Sequence, residues 1–185
     1  MPTSITQYLE AVNQGEAGAS DELLNVVYAS LRQIAANRLG RDGATLHPTE
    51  LVHEAWIRLG GNDAVDWKNR FHFFAAAAEA MRRTLIDNAR QKQAAKRGGR
   101  SAKRVTLSGH EPTELPLADE LLDLDDALTA FEKVDPLKAQ VVKLKYFAGM
   151  TIAEIAEMTN LSAASVERYW AYAKAWLFEF MSDED

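Results

Sequence analysis

The sequence predicts an all-α protein of two small helical domains joined by a charged linker. Three observations carry this. Apolar residues recur at helical spacing with no useful run of strand alternation, the pattern breaks once between about Lys96 and Leu122, and helix starts and stops punctuate both flanking stretches. A chain of 185 residues can bury one fair core or two small ones.

The first helix is expected from Ser20 to about Leu39. Ser20 can serve as N-cap, Asp21 and Glu22 fall in the first turn, and Leu23, Val27, Leu31 and Ile34 keep one face apolar. "GRDGAT" ends it, and Pro48 restarts the chain. "TELVHEAWIRLGG" gives a short helix with Thr49 as cap, Leu51, Val52, Ala55, Trp56 and Leu59 inward, and Gly60-Gly61 as stop. "NDAVDW" is a loop by composition. A long helix from about Asn69 to Ala95 follows. Phe71, Phe74, Ala78, Met81, Leu85 and Ala89 are expected to face a core, and Arg82, Arg83, Arg90 and Lys92 to face away from it.

The linker has a basic half, "KRGGRSAKRVTLSG", and an acidic half, since Glu111 to Asp126 contains seven acids and no Lys or Arg. This places an N-terminal domain at 1–97, the linker at 98–124 and a C-terminal domain at 125–185. "DDALTAFEKV" and "DPLKAQVVKLKYFAG" read as helices, with Asp135-Pro136 as a start and Gly149 as a stop.

"MTIAEIAEMTNLSAASVERYW" closes the second unit. Thr151 and Glu154 form a capping box, and Ile152, Ile155 and Ala156 make an inner face. Asn160 falls where a left-handed backbone is cheap, Leu161 plugs the angle between the helices, and Ser162 caps the second helix. Val166, Trp170, Ala173 and Leu177 should be buried, leaving Ala163, Ala164, Ser165, Glu167, Arg168 and Ala171 outward. That is the layout of a helix-turn-helix, whose second helix offers its first residues to the major groove. Periodicity alone leaves a plain helical hairpin equally open, and Arg168 is the one strong guanine reader on a face poor in basic residues.

Charge divides the chain. The formal net charge is -6, yet Lys68 to Arg104 holds eleven Lys/Arg against Glu79 and Asp87, a local +9 beside -15 for the remainder. One segment is therefore an anion binder, the footprint that phosphate contacts require. The absence of cysteine excludes disulfides, thiolate metal sites and cysteine nucleophiles. No signal-like start and no window of about twenty apolar residues occurs, so a soluble cytoplasmic protein is expected.

In order and spacing, "PTELVHEAWIRL", "RFHFFAAAAEAMRRTLIDNAR" and "DPLKAQVVKLKYFAGMTIAEIAEMTNLSAASVERYWAYAKAWL" resemble the extracytoplasmic-function group of bacterial sigma factors of the sigma-70 class. The likeness covers nearly the whole chain. It implies a σ2 domain that binds core RNA polymerase and opens the minus-ten promoter element, and a σ4 domain that reads the minus-thirty-five element. It implies core polymerase, through its β′ clamp and β flap, and promoter DNA as partners. Such proteins often have an anti-sigma factor as well, and the resemblance implies no cofactor or metal.

By motif, Glu50, His53, Glu54 and Arg58 become the candidate polymerase contacts. Asn62, Trp67, Lys68 and Asn69 fall where the family captures a flipped promoter base, with packing as the other use of Trp67. Arg82, Arg83, Arg90 and Lys92 are the candidate minus-ten contacts on the following helix; Arg83 stands where many members have Asn. Ser162, Ala163, Ser165, Glu167, Arg168, Tyr172 and Lys174 are the candidate minus-thirty-five contacts. The acidic linker half has two readings: threading a positively charged polymerase channel, or shielding the protein's own basic helix when free.

Other function classes fare worse. A stand-alone helix-turn-helix regulator would need a dimerisation segment, and none is evident. His47, His53, Glu54 and His72 hint at metal ligands, but "HEAWI" lacks the second histidine of H-E-x-x-H, and no Gly-rich phosphate loop or G-x-S-x-G occurs, so an enzyme is not expected. A protein-binding adaptor would leave the basic stretch unexplained.

Overall fold

The computed structural model describes residues 5–39, 47–61, 66–95 and 118–183, and among these every regular element is an α-helix. In chain order they are α1 (Ile5–Asn13), α2 (Ala19–Leu39), α3 (Pro48–Arg58), α4 (Arg70–Ala95), α5 (Ala118–Val134), α6 (Pro136–Tyr146), α7 (Ile152–Thr159) and α8 (Ala163–Asp183).

Local chemistry sets most of the boundaries. Asp135 caps α6 by accepting from the Lys138 backbone N–H, with Pro136 at the first helical position. At α7 the Thr151 hydroxyl accepts from Glu154 N–H while the Glu154 carboxylate accepts from Thr151 N–H at 2.8 Å, a complete capping box. Asn160 ends α7 with φ 57°, the left-handed position expected of it. Gly61, at φ 58°, lets the chain turn after α3 and donate to Trp56 C=O at 2.9 Å.

Several sequence expectations shift. Helix α1 is an addition: Leu9 and Val12 are buried, and Ile5 and Tyr8 pack beside them. Helix α2 starts at Ala19, so Ser20 lies inside its first turn. The N-cap of α3 is His47, not Thr49; its N–H donates to the Glu50 carboxylate at 2.8 Å. Residues 118–124, read as linker, already belong to α5, because Leu121 and Leu124 are buried. The most buried aromatic at the start of α4 is Phe73, while Phe71 and Phe74 are half-buried. Ile34 and the 98–117 part of the expected linker lie outside the described side chains.

Helix α4 is the shared wall of the molecule. It packs on α1 and α3 on one side and on α5, α6 and α7 on the other. Phe73, Ala77, Ala80, Met81 and Thr84 recur along one buried face, and Ala78, Arg82, Leu85, Ile86 and Ala89 along another. The alanines of "FFAAAAEAM" keep the helix slim enough for neighbours to approach from both sides. Leu23, Leu51, Phe73 and Met81 centre the N-terminal packing, and Leu128, Phe131, Tyr146 and Leu177 the C-terminal packing, in one continuous core. Among the described residues, no helix is long and apolar enough to cross a membrane.

Candidate nucleic-acid interface

The helix pair α7–α8 is built as its sequence requires. Val166, Ala173 and Leu177 are fully buried, Trp170 is half-buried, and Leu161 packs against the core between the helices. Ser162 caps α8 by accepting from Ser165 N–H at 3.1 Å. Ala163, Ala164, Glu167, Arg168 and Ala171 are exposed, leaving a shallow face whose one cation is Arg168. The Ser165 hydroxyl accepts from Ser162 Oγ and from the Arg168 guanidinium, so the first turn arrives with its polar groups already ordered. Tyr172 is exposed, with Lys138 4.8 Å over its ring, and half-buried Lys174 lies 5.4 Å over the Trp170 ring.

The residues just before α4 are held by ring packing and a helix cap. Trp67 is buried, with its ring 5.1 Å from Phe73 and 5.2 Å from His72. Lys68 and Asn69 are exposed; Asn69 Oδ1 accepts from His72 N–H at 2.8 Å, capping α4. Asn62 lies outside the described residues.

On α4 the four candidate cations separate. Arg83 and Arg90 are exposed and Lys92 half-exposed, as expected. Arg82 is the correction: it is 5% exposed, because position 82 falls on the stripe shared with Ala78 and Leu85 and points into α5. Its guanidinium is held by Asp125, Thr129 and Glu132. Beside it, burial alone would raise the Glu79 carboxyl's pKa, but the Lys143 and Arg82 charges outweigh burial and hold it below the usual glutamate value.

On α3, Glu50, His53, Glu54 and Arg58 are all exposed. Arg58 reaches α4 and pairs with Asp87 at 2.5 Å. Sequence reasoning missed Ile57, which is 65% exposed. It stands three and four residues after Glu54 and His53, on the face they share, so its spacing held the signal.

The described residues form two exposed polar faces and a helix-turn-helix. Among the described residues, no group of His, Asp and Glu is arranged to hold a metal ion. A family model described as ECF sigma factor matches residues 2–183. The chain belongs to the ECF sigma factor family. Compared with curated proteins and with solved structures, it has no match. An ECF sigma factor gives RNA polymerase its promoter specificity, so polymerase and promoter DNA are the partners its exposed faces have to meet. Sigma factors are initiation factors rather than enzymes.

Proposed function

We propose that this sigma factor docks on the β′ clamp through α3, with Ile57 at the centre of a contact rimmed by Glu50, His53, Glu54 and Arg58. A buried apolar anchor inside a polar rim is the usual energetic anatomy of a protein interface. Residues 1–97 then open the minus-ten element, with Arg83, Arg90 and Lys92 on phosphates and Asn62, Lys68 and Asn69 at the loop that receives an extruded base. Extrusion costs a few kcal/mol, which several phosphate contacts and a pocket can offset.

Residues 118–185, reached through the 98–117 segment, read the minus-thirty-five element. Ser162, Ala163, Ser165, Glu167 and Arg168 meet the major groove, with Tyr172 and Lys174 as further contacts to the same element. The σ4 unit leans on the β flap as well as on DNA. Linked weak contacts act at high effective concentration, so one guanine-reading arginine suffices when polymerase holds the remainder.

The observation that carries this reading is the capped α7–turn–α8 unit with an exposed first turn, inside a chain matched by the family model from residue 2 to residue 183. The test is copurification with bacterial core RNA polymerase, followed by run-off transcription on a genomic fragment pool. New, discrete start sites that depend on the protein are the expected result. Failure to bind any core, together with tight binding to free duplex DNA, would point instead to a stand-alone regulator.

A further inference from the structure

The cation nearest the middle of the basic helix is not available to DNA in this arrangement. Arg82 donates from Nε to Asp125 Oδ1 at 2.7 Å and from Nη1 to Glu132 Oε1 at 2.9 Å. From Nη2 it donates to Thr129 Oγ1 at 2.9 Å and to the Asp125 carbonyl at 3.3 Å. All four acceptors are oxygens on α5, and two belong to carboxylates. That array resembles what a phosphodiester would offer a planar guanidinium.

Further ion pairs join the same two halves. Lys143 of α6 pairs with Glu79 of α4 at 3.2 Å and also with Glu132. Arg70, at the start of α4, pairs with Glu157 of α7 at 3.6 Å. The acids that pair with Arg82 and Arg70 across this contact come from the C-terminal half, where residues 105–185 hold sixteen acids against six Lys/Arg.

Distance makes this packing incompatible with engaging both promoter elements at once. Elements centred at minus-ten and minus-thirty-five lie roughly 25 base pairs apart, or about 85 Å along B-form DNA at 3.4 Å per pair. A compact chain of this length has a radius of gyration of about 16 Å. With α4 packed on α5, α6 and α7, the two reading surfaces cannot span that interval. The 22 residues between Ala95 and Ala118 can: extended at about 3.3 Å each, they cover about 73 Å, to which the helices on either side add their own reach.

We propose that this structure is a closed state in which the acidic face of α5 occupies the nucleic-acid face of α4, with Arg82 as the shared group. On this view Arg82 exchanges Asp125 and Glu132 for promoter phosphate when the two halves part on polymerase. The inference rests on the assignment of α4 to the minus-ten element. It accounts for a basic residue that is both buried and in the segment richest in positive charge.

The test uses the full-length chain carrying Asp125→Asn and Glu132→Gln, with Lys143→Gln as an independent variant that breaks the interface while leaving Arg82 intact. Two quantities are read: the radius of gyration by small-angle scattering, and the affinity of the free protein for a fluorescein-labelled single-stranded DNA of randomised sequence. Circular dichroism confirms that helix content is retained, and a variant that unfolds is replaced in the comparison by the other. The expected result is expansion with at least tenfold tighter DNA binding, and loss of that gain when Arg82→Ala is added. Unchanged size and affinity would overturn the closed state, leaving the role of α4 to footprinting on polymerase. Expansion without tighter binding would overturn the competition and count against α4 as the minus-ten helix.

Discussion

Asn13 at the end of α1 grips the backbone of Trp67 with both ends of its carboxamide. Its Oδ1 accepts from Trp67 N–H at 2.8 Å, and its Nδ2 donates to Trp67 C=O at 2.5 Å. The residues lie 54 positions apart, so one side chain fastens the loop before α4 to the N-terminal helix. Asn13→Ala should lower stability by about 1–2 kcal/mol, roughly the sum of two net hydrogen bonds. Asn13→Asp keeps the acceptor but sets a carboxylate against a carbonyl, and should be no better than Ala. Urea denaturation measures both.

Arg82 and Arg83 are sequence neighbours with opposite surroundings. Arg82→Ala leaves Asp125 without this cation and Glu132 with Lys143 still beside it, and should cost about 2 kcal/mol, below the 3–5 typical of fully buried pairs because the Glu132 side chain is 31% exposed and keeps a partner. Arg83, whose side chain is 67% exposed and pairs with Glu79 of its own helix, should change stability by less than about 0.5 kcal/mol when cut to Ala. On polymerase, Arg83→Ala and Arg90→Ala should reduce permanganate reactivity at the opened element.

The capping box of α7 gives a local test. Thr151→Ala should destabilise by about 1 kcal/mol. Asn160→Gly should be nearly neutral, whereas Asn160→Val forces a β-branched residue to φ 57° and should cost at least about 1 kcal/mol. Thermal melts of the three variants rank these effects.

Acid should loosen the α4–α6 contact. Glu79 has a depressed folded pKa, so its contribution is present above the unfolded value and is lost as pH falls through the folded one. Asp135, held low by the Lys138 ammonium and backbone N–H, acts in the same direction. Stability should therefore be flat between about pH 6 and 8 and fall below about pH 4. Glu79→Gln should flatten the acid limb in a pH series of urea melts.

Ile57→Glu should weaken core-polymerase binding at least tenfold while leaving the melting curve within about 0.5 kcal/mol, since the side chain is 65% exposed. Competition against the unsubstituted protein for a limiting amount of core measures this.

Residues whose role is local were legible in the sequence. Thr151, Glu154, Asn160, Asp135 and Gly149 act through bonds or torsions within a few positions, and each stands where its chemistry placed it. The buried stripe of α4 was legible too, but its charge was misread. Arg82 sits four residues after Ala78 and three before Leu85, on the buried side, and only the acids arriving from α5 make that position tolerable. No spacing within α4 could show them. Helix α1 was overlooked although Ile5, Tyr8, Leu9 and Val12 carry the helical repeat, because nine residues form too short a run to stand out. Spacing keeps Ile57 out of the inward set of α3, but a single exposed apolar residue is ordinary on a protein surface and marks no contact by itself.

A helix buried on two faces has apolar surface that polymerase must cover when the halves part. If α5–α8 leave α4, Ala78, Leu85, Ile86 and Ala89 lose their cover, and Leu121, Leu124 and Leu128 on α5 risk losing theirs. Cutting the chain between residues 96 and 117 should accordingly yield fragments that clump unless coexpressed, and mixing the two should restore solubility. A cell that makes this protein faster than polymerase can take it up would be guarded against such clumping by the same packing that keeps it off promoters.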